Sequence, residues 1–233
     1  MARSPLVDRL RASAPQISVG VLTADWLTLG SQLKYLECAG VDLLHFDVMD
    51  GVFCPQLTLG APVVAGIKTN LLKDVHLMIE DPLSKLDSFV AAGADIVTVH
   101  AESTRHIHRV LQALGKMTNA NDPNRGIVRG IALNPGTPLE VLEPLAGEFE
   151  MVLVLAVNPG WGGQKFIAST CDRVKRLRES LGDTALICVD GGVTRDNIVN
   201  IARMGADIIV TGSAVFDGKA PLENAKYMMG ALR

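Results

Sequence analysis

Eight short apolar runs, rich in β-branched residues, alternate with amphipathic stretches along this chain of 233 residues. Near-continuous apolar strands indicate burial on both faces, which parallel sheets covered by helices require. Eight such units predict a single (β/α)8 TIM barrel of the α/β class, and a doubly wound open sheet is the alternative. The predicted strands span residues 17–22, 42–47, 74–78, 96–100, 127–133, 151–157, 186–190 and 207–211.

A short repeat supports this count of units. Glycine, a small apolar residue and aspartate follow one another at residues 40–42, 93–95 and 205–207. The pattern predicts a glycine that ends a helix just before a strand begins, and the spacings fit two and four βα units. We therefore divide the chain into an N-terminal extension, residues 1–16, and a barrel domain, residues 17–233.

Composition argues against several classes of function. The net charge of −3 provides no basic surface for nucleic acid or for an anionic membrane, so a small-molecule partner is favoured. No apolar run approaches the roughly 18 residues of a membrane span, and the first residues lack a secretory signal. The four cysteines have no C-x-x-C spacing and are interpreted as reduced thiols. We expect a cytoplasmic protein.

Polar residues at strand ends predict a metal site. His45 and Asp47 are two residues apart and share a strand face, while His76 and Asp190 also fall at or near carboxyl ends of strands. Four ionisable groups inside a closed barrel are costly unless paired or bound to metal. The donors suit zinc, iron, manganese or cobalt, one divalent ion per subunit. Asp74 is either a hydrogen-bond partner or half of a buried salt bridge.

Glycine-rich turns follow the last three predicted strands. Backbone N–H groups in such turns bind phosphate, and the alternative explanation is tight-turn geometry alone. Three such turns in neighbouring units favour phosphate. The candidate substrate- and phosphate-binding residues are His76, Gly160, Trp161, Gly162, Gly163, Gly191, Gly192, Gly212 and Ser213.

Other residues near the strand ends are weaker candidates. Met49 and Met78 share side-chain parity with Asp47 and His76 and are possible pocket-lining residues, although methionine is usually core filler. His100 ends the fourth predicted strand and could face the mouth of the barrel. The remaining two histidines, His106 and His108, are expected at the surface of a helix.

Seven segments, in order along the chain, closely resemble the ribulose-phosphate 3-epimerases. The resemblance implies a ribulose-phosphate-binding barrel, a homo-oligomer, and a metal-dependent epimerase of the pentose phosphate pathway. It further implies that the two histidines and two aspartates hold the metal and that Asp47 and Asp190 exchange protons with the sugar. The segments are LTAD at residues 22–25, HFDVMDG at 45–51, DVHLMI at 74–79, NPGTP at 134–138, VNPGWGGQ at 157–164, VDGGV at 189–193 and GSAVF at 212–216.

The implied reaction agrees with the residue types. Inversion of a carbon next to a ketone removes a proton from one face and returns one to the other, so two acid/base groups must flank the substrate. The expected reaction converts D-ribulose 5-phosphate to D-xylulose 5-phosphate through a 2,3-enediolate. A divalent ion would stabilise the negative charge of that intermediate.

Departures from the family pattern leave alternatives open. Gly20 stands where the family usually has a serine that contacts substrate, so the same chemistry on a different ketose phosphate is the second hypothesis. Gly20 is accordingly a candidate pocket-lining residue. A non-catalytic barrel that binds a sugar phosphate is the third hypothesis. A related decarboxylase or synthase is disfavoured because His76 occupies the place of a lysine in their Asp-x-Lys-x-x-Asp pattern.

Overall fold

The computed structural model describes residues 4–233, which form a closed barrel of eight parallel strands. Neighbours in the chain are neighbours in the barrel, and the last strand pairs with the first. The predicted (β/α)8 barrel is confirmed, and the open sheet is ruled out. The strands are β1 (Gln16–Gly20), β2 (Leu43–Met49), β3 (Leu72–Met78), β4 (Ile96–His100), β5 (Val128–Leu133), β6 (Met151–Leu155), β7 (Leu186–Asp190) and β8 (Ile208–Thr211).

Helices connect the strands, with one change from the expected alternation. The connection between β5 and β6 is a 3₁₀ helix, Leu139–Leu145, which contains Pro144. Proline lacks the N–H that an α-helical ladder requires, which accounts for the difference. The α-helices are α1 (Pro5–Ala12), α2 (Leu29–Ala39), α3 (Ala61–Gly66), α4 (Leu86–Ala91), α5 (Ile107–Leu114), α6 (Thr170–Leu181), α7 (Ile198–Arg203) and α8 (Pro221–Gly230).

The strand boundaries agree with the predicted ones to within two residues. The largest consequence for function is in β2, which continues to Met49, so Asp47 lies within the strand rather than at its last position. Alternate residues of β2 face opposite ways: Leu44 and Phe46 pack in the outer core against the helices, and Leu43 packs inside the barrel. This parity directs His45 and Asp47 inward.

The repeated Gly-x-Asp motif joins neighbouring strands at the amino ends of the barrel. Gly40 has a left-handed conformation and ends α2, as predicted. Asp95 Oδ2 accepts a hydrogen bond of 2.9 Å from the backbone N–H of Lys73, and Asp207 Oδ2 accepts one of 2.7 Å from that of Ile187. The aspartates of the repeat therefore hydrogen-bond the beginning of one strand to its neighbour.

Helix α1 closes the floor of the barrel. Leu6, Val7 and Leu10 are buried and join the inner apolar cluster, which includes Leu43 and Leu72 at the beginnings of their strands. The division of the chain at residue 16 stays a prediction, and residues 1–3 lie outside the described range. Within residues 4–233, no helix combines the length and apolarity needed to cross a membrane.

We expect Leu10→Ala to reduce the free energy of unfolding by about 2–4 kcal/mol, because it leaves a cavity under the barrel. Urea unfolding monitored by circular dichroism measures the change. Leu27 is 96% exposed, so Leu27→Ala is the matched control and should stay within about 0.5 kcal/mol of the wild type. Equal effects of the two variants would contradict a packed floor.

Candidate active site

Two imidazoles and two carboxylates meet at the carboxyl ends of the strands. His45 and Asp47 come from β2, His76 comes from β3, and Asp190 is the last residue of β7. The parallel register pairs Asp47 directly with His76. One donor atom from each of the four residues lies within 4.8 Å of every other. The structure thus brings together all four residues that the sequence predicts as metal ligands.

The donor atoms surround one small space. His45 Nε2 lies 3.2 Å from Asp47 Oδ1 and 3.8 Å from Asp190 Oδ2. His76 Nδ1 lies 3.3 Å and 3.6 Å from the same two oxygens. Two imidazole nitrogens and two carboxylate oxygens are a donor set that zinc, iron, manganese and cobalt accept. The residues therefore fit a divalent cation without distinguishing among these metals.

Each histidine of the cluster places its second ring nitrogen against a protein partner. His45 Nδ1 lies 2.7 Å from Asp74 Oδ2, and the same oxygen accepts a hydrogen bond of 2.9 Å from Ser18 Oγ. His76 Nε2 lies 2.9 Å from Nε2 of His100. Such partners are typical of metal-binding histidines, because they fix the ring and direct the other nitrogen at the ion. The sequence left the role of Asp74 open, and the structure places its carboxylate against His45.

The four groups alter one another's protonation. Burial disfavours the charged form of His45, yet the carboxylates of Asp74 and Asp47 prevail and raise its pKa well above 6.5. Burial also opposes charge on His76, but Asp190 and Asp47 raise its pKa. Burial works against ionisation of Asp47, while His45 and His76 hold its pKa far below the ordinary value. The carboxylates therefore stabilise positive charge at this position, whether protons or a metal ion.

A cavity of about 360 Å³ opens beside Asp47 and Asp190. His45 and His76 are fully buried and are absent from its described lining. All the other predicted substrate residues line the cavity, namely Gly20, Met49, Met78, Gly160, Trp161, Gly162, Gly163, Gly191, Gly192, Gly212 and Ser213.

The turn after β7 requires glycine at two successive positions. Gly191 and Gly192 have φ values of 102° and 67°. A Cβ atom at Gly191 would overlap the side chain of Val157, and one at Gly192 would lie 2.6 Å from the backbone N of Phe166. The absence of side chains lets the backbone itself form this wall of the cavity.

A short helical turn follows β8. The N–H groups of Val215 and Phe216 each donate a hydrogen bond of 2.9 Å to the carbonyl of Gly212. In a turn of this kind the N–H groups of the first residues, here Ser213 and Ala214, have no carbonyl partner within the turn. Such groups favour an anion, so tight-turn geometry and phosphate binding are compatible explanations of the glycines.

The loop after β6 forms the outer rim of the cavity. Gln164 Nε2 donates hydrogen bonds to the carbonyls of Asn158, at 2.6 Å, and Trp161, at 2.8 Å, which holds the loop in a closed shape. A Cβ atom at Gly160 would lie 2.7 Å from Pro55 Cδ and 2.9 Å from Cys54 Cβ, so glycine lets this loop approach the one after β2 closely. Trp161 is 61% exposed and lies at the entrance rather than in the interior.

Sequence reasoning missed Glu102 and gave little weight to His100. His100 is buried beside His76, and burial lowers its pKa to about 4, so the ring is neutral at pH 7. Glu102 Oε2 lies 3.1 Å from His100 Nδ1. The His-x-Glu spacing at the end of β4 repeats the spacing of His45 and Asp47, and that signal could have identified the pair. His106 and His108 are exposed, as predicted.

Comparison with known proteins assigns the chain to a family. A profile of the ribulose-phosphate 3 epimerase family matches residues 16–216. The chloroplastic ribulose-5-phosphate-3-epimerase of Arabidopsis thaliana is 40% identical, covering 99% of this chain and 82% of that protein. The ribulose-phosphate 3-epimerase of Bacillus subtilis is 39% identical, covering 86% and 92%. The putative epimerase LsrE of Salmonella typhi is 39% identical, covering 93% and 87%.

Solved structures show the same fold in more distant proteins. The 3-hexulose-6-phosphate synthase of Salmonella typhimurium superimposes with a TM-score of 0.67 at 20% identity, covering 93% of this chain and 98% of that one. The family profile and the curated relatives identify the chain as a (β/α)8 isomerase that acts on carbohydrates as an epimerase. The chain belongs to the ribulose-phosphate 3-epimerase family.

Metal binding should weaken as the pH falls. The pKa values of His45 and His76 are raised, so protons compete with the ion at pH values where an ordinary histidine is already neutral. We expect the dissociation constant for Zn²⁺ to rise between about pH 8 and pH 6, by up to about tenfold per pH unit for each proton displaced. Competition with a chromophoric chelator measures it. An affinity independent of pH would contradict this view of the cluster.

Proposed function

We propose that this epimerase inverts C3 of a ketose phosphate, interconverting D-ribulose 5-phosphate and D-xylulose 5-phosphate with the help of one divalent ion. The observation that carries the proposal is the position of two carboxylates at one cavity. Asp47 comes from β2 and Asp190 from β7, with β8 and β1 between them, so they approach the cavity from different sides. This is the arrangement that proton transfer on two faces of one carbon needs.

Accessibility supports different roles for the aspartates and the histidines. The side chains of Asp47 and Asp190 are 18% and 14% exposed, whereas those of His45 and His76 are fully buried. One oxygen of each aspartate faces the imidazoles. The second oxygen of each carboxylate is the atom that can take or return the proton at C3.

The proton balance follows from these two groups. In one direction, one aspartate enters as a carboxylate and accepts the proton from C3. The other enters as a carboxylic acid and returns a proton to the opposite face, which inverts the carbon. The reverse reaction exchanges the two roles. A bound divalent ion supplies a Lewis acid for the negative charge that develops on the oxygens of the sugar.

The rest of the cavity supports binding of a phosphorylated sugar. Apolar side chains of Met49, Met78 and Leu155 lie on the same lining as the aspartates. The glycine turns after β7 and β8 belong to the same lining, and their backbone N–H groups would hold a phosphate. Anchoring the far end of the sugar limits its motion and positions C3 between the carboxylates.

Asp47→Asn and Asp190→Asn should each reduce epimerase turnover by at least about 100-fold, because an amide cannot exchange the proton. Turnover is measured with metal-saturated protein, and bound metal is quantified in the same samples. The thermal unfolding midpoint should show that each barrel folds. Asp87 is exposed on α4, so Asp87→Asn is the matched control and should retain full activity. Near-normal turnover in either active-site variant would refute the two-base scheme.

A different ketose phosphate is the second candidate substrate, and the space around Gly20 favours it. A Cβ atom at Gly20 would come no closer than 3.7 Å to Gly212, so a side chain would fit there and its absence enlarges the cavity. We expect Gly20→Ser to shift the ratio of kcat/KM toward pentulose over hexulose phosphates by about 2- to 10-fold, since it fills space and adds a hydrogen bond. An unchanged ratio would show that Gly20 does not set selectivity.

The decisive test of the proposed function is product analysis with a panel of ketose phosphates of different length and configuration. Metal-loaded protein is incubated with each sugar, and NMR identifies the configuration at C3. Conversion of D-ribulose 5-phosphate to D-xylulose 5-phosphate at the highest kcat/KM would support the proposal. A higher value for another sugar would move the function to that substrate, and inversion of none would overturn the proposal.

A further inference from the structure

A chain of polar contacts continues from the cluster beyond His76. His76 Nε2 lies 2.9 Å from His100 Nε2, and His100 Nδ1 lies 3.1 Å from Glu102 Oε2. The second oxygen of Glu102 accepts a hydrogen bond of 2.8 Å from the backbone N–H of Asn134 and another from the hydroxyl of Thr137. The chain thus connects β3, β4 and the turn after β5.

The hydrogen bonds of this series all point the same way, from His76 to His100 and from His100 to Glu102. The Glu102 carboxylate can only accept, so His100 carries its hydrogen on Nδ1. The two Nε2 atoms of His76 and His100 face each other at 2.9 Å, so one of them donates and the other accepts. With the hydrogen of His100 on Nδ1, the hydrogen of this contact belongs to His76 Nε2. His76 Nδ1 is left as the nitrogen whose lone pair faces Asp47 and Asp190.

From this arrangement we infer that His100 and Glu102 are positioning residues for His76. They fix the tautomer and the ring orientation that present Nδ1 to the metal ion. The inference rests on the proposed metal-dependent function, and it assigns a role to residues that touch neither the metal nor the substrate. Partners of this kind commonly change metal affinity or activity by about 10- to 100-fold when removed.

Two further residues hold this series of contacts in place. Arg173 Nη1 donates a hydrogen bond of 2.7 Å to the carbonyl of Thr137, and its Nη2 donates one of 3.3 Å to the carbonyl of Asn134. The ring of Phe53 packs on His100, with 4.6 Å between the centroids. Glu102 therefore meets a turn whose position is set independently of the metal cluster.

Glu102→Gln tests the direction of these hydrogen bonds. The backbone N–H of Asn134 is a fixed donor, so the oxygen of the new amide must face the turn and its NH₂ must face His100. The amide would then donate to His100 Nδ1, move the hydrogen of His100 to Nε2, and force the hydrogen of His76 onto Nδ1. That hydrogen would occupy the position from which His76 binds the ion.

We expect Glu102→Gln to weaken Zn²⁺ binding by about 10- to 100-fold and to change the visible absorption spectrum of the Co²⁺-loaded protein. At saturating metal, kcat should fall while KM for the sugar phosphate stays within twofold. Glu143 is exposed on the 3₁₀ helix, and Glu143→Gln is the matched control that should match the wild type. Wild-type affinity together with an unchanged Co²⁺ spectrum in Glu102→Gln would overturn the inference.

Two substitutions of His100 separate positioning from packing. His100→Gln can still offer an acceptor to His76 Nε2 and should keep most of the metal affinity, whereas His100→Leu should lose it as Glu102→Gln does. Equal losses in both would overturn the positioning role. If His100→Leu fails to fold, the metal affinities of His100→Gln and Glu102→Gln still test the positioning role, because only the second variant should lose affinity. Wild-type protein that bound no metal would instead refute the proposed function.

Discussion

The parallel register between β2 and β3 determines which side chains meet at the mouth of the barrel. It pairs His45 with Asp74 and Asp47 with His76, and all four face inward. A shift by one residue in either strand would turn its polar groups toward the outer helices. Closure of the barrel between β8 and β1 leaves no free edge along which the strands could slip. The meeting of Asp47 with the two imidazoles at the cavity depends on this register.

The same constraint explains how charge is accommodated inside an apolar barrel. Burying an unpaired charged group costs several kcal/mol, so each ionisable group at the mouth needs a partner. His45 is held by Asp74, and His76 is held by His100. Asp47 and Asp190 keep partial access to the cavity, and each of them faces both imidazoles. In the function we propose, all four groups hold the cation, and the two accessible aspartates also move protons.

Much of this arrangement can be predicted from the sequence, because burial and strand parity produce recognisable patterns of apolar and polar residues. Apolar runs predict all eight strands, and the spacing of His45 and Asp47 places them on one face. The partner of Asp74 could not be predicted, since register between strands is set by the closed barrel. The His-x-Glu spacing could have identified Glu102, but its hydrogen bonds to the turn after β5 could not be predicted because that turn is remote in sequence. Pro144 explains why the connection between β5 and β6 is a 3₁₀ helix without an α-helix.

The central claim is that Asp47 and Asp190 carry protons to and from opposite faces of one carbon. The most direct measurement is turnover of D-ribulose 5-phosphate by the wild-type, metal-loaded protein in heavy water, with NMR of C3 at early conversion. Our account predicts that the inverted product carries solvent deuterium at C3, because the proton returned comes from a different group than the one that accepted it. Product that keeps its original hydrogen at C3 would contradict the account.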